Sequence, residues 1–378
     1  MTPQLRFPEF IDEWQVKKLG ESLESISSGK SNTTSNGTKY PIYGSTGEIG
    51  KSATCDYSGD KLLIARVGAN AGSMYRVSGS YKVSDNTLIV NLKDDVDTSF
   101  VQYSLINFNI NRLVFGSGQP LVTGGMLKNT KLAFPSKPEQ EKIADFLTAV
   151  DERIGVSEKK LELLETYKRG VMQQIFSQQI RFKDESGRPY PDWEEKKLGE
   201  VASFVSGYTF LSSTYSESGM YKIITIANVQ NGRMNVDKAS KINTLPSNIQ
   251  KNQVLERGDI LVSMTGNVGR VCKVNIENCL LNQRVGKIVT KNINADFLFA
   301  VLNSRRFLAE MESLAQGGAQ GNLSSKDIMR YMIKLPSRDE QQKIADFLTT
   351  LDEKFTAEKS KLTATRKFKK ALLQRMFV

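Results

Sequence analysis

The chain repeats itself, and that repeat limits its fold more than any other feature. Residues 134–154 read FPSKPEQEKIADFLTAVDERI and residues 335–355 read LPSRDEQQKIADFLTTLDEKF, identical at 13 of 21 positions with a constant offset of 201. A second pair of landmarks opens each half: Trp14-Gln-Val-Lys-Lys-Leu-Gly-Glu21 against Trp193-Glu-Glu-Lys-Lys-Leu-Gly-Glu200, at an offset of 179. Just upstream, Leu5-Arg6-Phe7 answers Ile180-Arg181-Phe182. The offset grows by 22 between the landmarks, so the second intervening region is longer. Like ends around unlike middles mean one structural unit used twice.

The repeated block opens a helix. Ser136 with Glu139, and Ser337 with Glu340, have the S-x-x-E spacing of a capping box. Apolar positions then run Ile143, Leu147, Val150, Ile154, Leu161, Leu164, Val171 and Ile175. The second copy gives Ile344, Leu348, Leu351, Phe355, Leu362, Leu372 and Met376. Steps of four and three make a heptad seam. Polar residues interrupt both seams at matching places, Ser157 with Glu358 and Lys168 with Lys369, and Thr365 adds a break where the first copy has Leu164. A helix from about 139 to 176 is ~57 Å long at ~1.5 Å per residue, with Gly155 as its soft point. Such a seam needs a cover. The duplicate helix is the expected partner, giving two long helices packed antiparallel about a pseudo-twofold axis. Packing of each helix on its own lobe is the alternative.

The middles, roughly 20–134 and 199–335, carry short β-prone runs between Gly, Asn and Ser: Leu62 to Ala65, Thr87 to Val90, Ile260 to Val262 and Lys287 to Val289. Each also holds a helix-like stretch, Phe100 to Leu113 and Phe297 to Leu314. The reading is an α+β fold with lobes at 1–135 and 180–336, and helical spacers at 136–179 and 337–378.

Charge and residue usage narrow the function. The 52 Lys+Arg exceed the 41 Asp+Glu by 11, an excess suited to counterion release from nucleic acid. The chain has no histidine, which removes the usual general base and metal ligand near neutral pH. Cys55, Cys272 and Cys279 form no CxxC pair, and an odd count argues against a disulfide framework. No apolar run reaches the ~18–20 residues of a membrane span, and Met1 leads straight into polar sequence. A cytoplasmic protein without a membrane partner is expected.

Several motif-like strings do not survive inspection. Gly29-Lys30-Ser31 and Gly50-Lys51-Ser52 resemble the end of a P-loop, but Glu24 and Ser45 stand where its first glycine belongs. Pro191-Asp192 with Glu194-x-Lys196 is too closely spaced for a nuclease site. Cys272 and Cys279 read as core residues rather than ligands. There is neither an Asn-Pro-Pro-aromatic motif nor a glycine-rich cofactor loop, so no catalytic residue and no metal site is expected.

The order of lobe, S-x-x-E-Q helix, second lobe and second helix resembles the specificity subunit of type I restriction–modification systems over essentially the whole chain. The residues that carry the resemblance are Pro135 to Ala144, Pro336 to Ala345, the two Trp-x-x-Lys-Lys-Leu-Gly entries and the Gly116-Ser-Gly-Gln119 turn, answered loosely by Gly317 to Asn322. The resemblance implies two target-recognition domains, double-stranded DNA as ligand, two methylation subunits as partners, and restriction/translocase subunits joining them. S-adenosylmethionine, ATP and magnesium then belong to those partners, with no cofactor in this chain. A carboxylate-based nuclease or methyltransferase and a protein-binding coiled-coil adaptor are the other function classes. Activity of the isolated chain would point to the enzyme, and absence of salt-dependent DNA binding to the adaptor.

Base edges are read by Arg, Lys, Asn and Gln, and phosphates by Lys, Arg, Ser and backbone N–H groups. The candidates beside glycine-rich loops are Arg66, Asn70, Asn86, Gln119 and Lys128 in the first lobe. In the second they are Thr265, Asn267, Gln283, Arg284, Gln320, Asn322 and Lys326. Arg366, Lys367, Lys369 and Lys370 read instead as a solvated helix face. Unlike lobes on a helical spacer imply an asymmetric, split target whose gap follows helix length. Inserting a few residues after Glu158 is therefore expected to lengthen the unread gap and leave both half-sites unchanged. A methylation map of DNA exposed to the assembled variant checks this, and an altered half-site would contradict it.

Overall fold

The computed structural model describes residues 2–116, 119–317 and 321–378. They form two compact units, one of residues 1–159 with 359–378 and the other of residues 160–358. Each is α+β, and each draws on both long helices.

In the first unit the uninterrupted apolar run Leu62-Leu63-Ile64-Ala65 is fully buried because its strand, Lys61–Ala65, is covered on both faces. This strand lies inside a four-stranded sheet ordered Leu23–Ser28, Thr87–Leu92, Lys61–Ala65, Met74–Val77. Leu62 and Ile64 point into the main core with Leu88, Val90 and Phe100. Leu63 and Ile89 point the other way, onto Tyr81 and Val83 of a second four-stranded sheet. The second unit repeats the plan. Ile260 and Val262 join the core around Phe297, while Leu261 and Val285 bury against Cys272, Cys279 and Leu281.

The helix-like stretches are each broken. Helix Thr98–Phe108 ends where Asn109 adopts φ 59°, and a short 3-10 turn, Ile110–Leu113, follows. In the second unit Ala295–Leu302 stops and Arg305–Gln316 restarts from a Ser304 cap. Both stops lie at polar residues that favour turns over helix interiors.

The landmark residues close each lobe. Gln15–Lys18 pairs antiparallel with Lys131–Phe134, setting Gln15 opposite Phe134, and Glu194–Lys197 pairs the same way with Met332–Leu335. Chain entry and exit are thus clamped side by side, and the exit runs straight into the long helices Lys137–Phe176 and Arg338–Met376. The first of these continues through Gly155 as helix.

The capping boxes expected at these helix starts do not form. Glu139, 1% exposed, instead takes the Arg6 guanidinium in a bidentate grip, both N···O distances 2.7 Å, and accepts from Trp14 Nε1 at 3.2 Å. Glu340, fully buried, accepts from Arg181 Nη2 at 2.9 Å and from Trp193 Nε1 at 3.0 Å. Two charge-assisted bonds and an indole N–H outweigh the single backbone N–H that a capping box would offer. Only Ser337 keeps half of that motif, accepting from the Glu340 N–H at 3.4 Å. The next residue also acts twice. Gln140 donates to Pro135 O and accepts from Asp97 N, both at 3.0 Å, and Gln341 does the same with Pro336 O and Asn294 N.

The seam residues divide by position. Ile143, Leu147 and Val150 pack with Leu372 and Met376, and share one core with Trp14, Phe100 and Phe134 of their own lobe. Ile344, Leu348 and Leu351 likewise join Val171 and Ile175 and the core around Phe297. Both proposed covers are therefore used. The buried stripe is also wider than a strict heptad seam, taking in Ala144, Met172, Ala345 and Leu373. Towards the helix middles Ile154, Leu161, Leu164 and Phe355 are only half-buried, while Leu362 is buried. The charged breaks Lys168, Glu358 and Lys369, with the neighbouring Arg366, form ion pairs within each unit. Lys369 meets Asp151 at 2.5 Å and Arg366 meets Glu158 in the first; Lys168 meets Asp352, and Lys160 meets Glu358 at 2.7 Å, in the second. These pairings run the helix segments in opposite directions within each unit.

Removing Glu139 takes from the enclosed Arg6 guanidinium its only carboxylate among the described residues, leaving it the Asp12 carbonyl at 2.6 Å, and takes from the Trp14 indole its hydrogen bond to that carboxylate. Glu139→Ala is expected to destabilise the first unit by on the order of 3 kcal/mol, and Glu340→Ala the second by a similar amount. The exposed Glu141→Ala is expected to stay within about 0.5 kcal/mol of the parent. Urea unfolding of the three variants checks this; equal behaviour of all three would remove the clamp from the account.

Candidate nucleic-acid interface

Several of the sequence candidates lie on one rim in each unit, where strand ends meet loops. In the first, strand Lys61–Ala65 runs out into Arg66, whose N–H donates to Asn86 O at 2.9 Å and whose carbonyl accepts from Val122 N at 2.8 Å. Gly68 N donates to Pro120 O at 2.9 Å, bringing the loop that carries Gln119 against the turn that carries Asn70. Asn70, Asn86 and Gln119 are exposed. Arg66 is half-buried and commits one nitrogen to Ser28 Oγ at 3.1 Å, out of five N–H donors. A cation and three amides thus share one edge, the residue types that pair with guanine and adenine.

The second rim has the same backbone frame with different side chains. Met264 stands where Arg66 stands: its N–H donates to Arg284 O at 3.0 Å and its carbonyl accepts from Leu323 N at 2.8 Å. Arg284 in turn occupies the place of Asn86. Each rim therefore carries an arginine, but at opposite sides of the same hydrogen-bonded step. Gln283, Arg284, Asn267 and Asn322 are exposed. Thr265 differs, because its Oγ1 is buried with no partner among the described residues. Gln320 lies outside the described residues, as do residues 117 and 118 of the Gly116–Gln119 turn and 318–319 of its counterpart.

The two lysine candidates are not counterparts. Lys128 lies in the short helix Gly124–Asn129 and packs under the entry turn, where a Cβ on Gly20 would meet its carbonyl at 3.0 Å. Met329 holds the matching place beneath Gly199, with its carbonyl at 3.2 Å. Lys326, 201 positions after Gly125, is exposed at the start of its own short helix, Ser325–Met329. In the basic cluster near the C-terminus, Arg366 and Lys369 are spent on Glu158 and Asp151, while Lys367 and Lys370 are exposed.

Sequence reading passed over the segment that follows the first sheet strand in each unit. Gly29 and Gly207 both run hard against the neighbouring chain: a Cβ would meet Val83 O at 2.3 Å and Asn282 O at 2.0 Å. Only glycine permits that approach. Beyond Gly207 the chain passes along the second rim, where Thr209 Oγ1 donates to Gln283 Oε1 and Tyr208 OH donates to Asn248 Oδ1, each at 2.6 Å. The signal was the Ser28-Gly29 dipeptide recurring as Ser206-Gly207. The same close approach explains the glycine of the P-loop-like Gly29-Lys30-Ser31 string.

Cys272 and Cys279 are buried in the core between the second unit's sheets, and burial pushes their thiols up to about 12 and about 11. Among the described residues no group of three His, Cys, Asp or Glu side chains is placed to hold a metal ion, and no helix is long and apolar enough to cross a membrane.

The chain belongs to the family described as type I restriction modification DNA specificity domain, whose model matches it twice, over residues 11–166 and 190–365. It is 27% identical over 398 aligned positions to the type I restriction enzyme MjaVIII specificity subunit of Methanocaldococcus jannaschii, covering 98% of this chain and 92% of the relative. A putative type I specificity subunit of Mycoplasma pneumoniae is 22% identical, covering 90% and 89%. The fold is similar to the crystal structure of a type I restriction–modification system S subunit from M. genitalium, with TM-score 0.70, 19% identity, and 100% and 99% of the two chains covered. The paired family matches and the full-length likeness to the MjaVIII subunit mark the chain as a type I specificity subunit.

Thiol labelling tests the cysteine placement. Native protein is expected to expose one reactive thiol, Cys55, and three after unfolding. The two buried thiols stay protonated far above neutral pH, so their labelling should not rise between pH 7 and 9. Counting adducts by intact mass checks this; a second fast adduct on the native chain would contradict it.

Proposed function

We propose that the chain reads DNA without catalysing any step itself: each rim reads one half of an asymmetric, split target, and the remaining surface holds methylation and restriction subunits. The observation that carries this reading is the shared rim frame with its arginine moved, Arg66 beside Asn86 in one copy and Arg284 beside Met264 in the other. Donors moved within one frame meet different base edges, so two unlike half-sites follow. The +11 charge supplies the sequence-independent attraction to phosphates. Gln119, Asn70 and Gln283 join base reading; Lys128 and Lys326 serve the backbone.

The partner role draws support from apolar side chains left in solvent on the long helices. Val156 is 68% exposed and Phe368 53% on the first unit's segments, and Leu163 is 57% and Tyr167 53% on the second's. Leu163 and Tyr167, four residues apart, share one helix face, and adjoining exposed apolar groups are what an interaction surface presents. S-adenosylmethionine, ATP and magnesium would then be held by the partner subunits.

Arg284→Ala is expected to cost about 1–3 kcal/mol of discrimination at one position of one half-site and to leave the other half as in the parent. Arg66→Ala is expected to do the reverse. Methylation mapping with the assembled complex reads both halves at once. Loss of both halves from either substitution would reject the division of labour, and methylation by the isolated chain would reject the non-catalytic role.

A further inference from the structure

The repeat lets one unit serve as a template for the other, and it exposes a vacancy. In the first unit Tyr103 projects from helix Thr98–Phe108 onto the long-helix pair and is 5% exposed. Its hydroxyl donates to Asp151 Oδ2 at 2.8 Å and lies 3.4 Å from Thr148 Oγ1, while Lys369 Nζ sits 5.3 Å from the ring centre. Burial pushes this phenol up to about 12.

The matching helix in the second unit is fixed by Asn294 N on Gln341, as Asp97 N is fixed on Gln140, so positions correspond at an offset of 197 (294 − 97). Tyr103 then falls on Ala300. The polar partners are all kept at the helix offset of 201 (352 − 151): Thr349 for Thr148, Asp352 for Asp151, and Lys168 paired with Asp352 as Lys369 is with Asp151. A neighbouring contact is kept as well, Lys273 with Asp296 in place of Arg76 with Ser99. With the ring gone, a cleft of about 500 Å³ opens over Ala300, floored by Met172, Phe299 and Leu348 and edged by Thr349, Asp352 and Lys168.

We infer that this cleft receives a tyrosine side chain from a partner polypeptide, which completes in the second unit the contact that Tyr103 makes in the first. The site offers a carboxylate and a hydroxyl for a phenolic O–H, a cation for the ring face and an apolar floor for the ring edges. The cleft exceeds one ring, so the occupant brings flanking chain with it; a free phenol would leave most of the floor wet. The inference rests on the partner-holding part of the proposed function. It adds that the two long-helix faces are unequal: one is self-filled and one waits for its partner.

The test uses the full chain and the full chain with its methylation subunit. 4-Methylphenol is titrated into alanine-methyl-labelled protein and followed by NMR. The Ala300 and Ala345 methyls are expected to shift saturably. Toluene, which lacks the hydroxyl, should bind about tenfold more weakly, the worth of one charge-assisted hydrogen bond. Ala300→Tyr should abolish the shifts and cut the affinity for one of two bound methylation subunits about tenfold by native mass spectrometry. Asp352→Asn, at a half-exposed position, gives a second variant that keeps the fold and should weaken the same step. Tyr103→Ala should create a second 4-methylphenol site. Absence of shifts at Ala300 overturns the site, and normal assembly by both variants despite 4-methylphenol binding overturns the polypeptide occupant. Failure of the unsubstituted chain to bind any methylation subunit would instead strike the proposed function, leaving the phenol titration readable.

Discussion

Everything in each unit depends on one enclosed carboxylate. Glu139 and Glu340 stand at the first turn of a long helix, where the helix dipole favours negative charge, and each gathers an arginine and a tryptophan from the segment that begins its lobe. Sequence positions more than a hundred residues apart are thereby tied to one point. The adjacent Gln140 and Gln341 then bind the lobe's own helix to the same turn. Because a buried charge tolerates no substitute for its partners, this junction resists drift while the sheets it frames are free to change. Constant ends and variable middles are the result.

Much of this was legible. The runs Leu62 to Ala65 and Ile260 to Val262 form strands because every residue in them is apolar and both faces are covered. The long helices extend as their heptad spacing predicts, from 137 and 338. What the spacing left open was which groups the repeated Glu, 139 in one half and 340 in the other, would meet. A capping box is a local pattern, whereas Arg6 and Trp14 are remote, and no pairwise rule on a single sequence connects them. Read together, the three landmarks did point to one another, since Arg6, Trp14 and Glu139 all recur in the second copy. The stops after Phe108 and Leu302 were missed because apolar content continues through them.

The site was legible in outline. Several glycine-flanked polar residues lie where strand ends meet loops, but which ones are counterparts is decided by backbone pairing and not by residue type. Arg66 answers Met264, Asn86 answers Arg284, and Lys128 answers Met329. Chemical likeness between the lobes is therefore a poor guide to position. Thr265, turned inward, shows the same limit from the other side: its type suits a groove, and its rotamer does not.

The first unit is made from two distant stretches, and this sets an order in time. Leu372, Leu373, Met376 and Phe377 complete the core around Trp14 and Phe100, and the Leu5 N–H is answered by the Arg375 carbonyl at 2.8 Å. During synthesis that core stays open until the last of these residues leaves the ribosome. The second unit, residues 160–358, has all its parts earlier. A chain made from its N-terminus thus finishes its second half first, and the segment born first must keep its apolar surface out of trouble for the longest time.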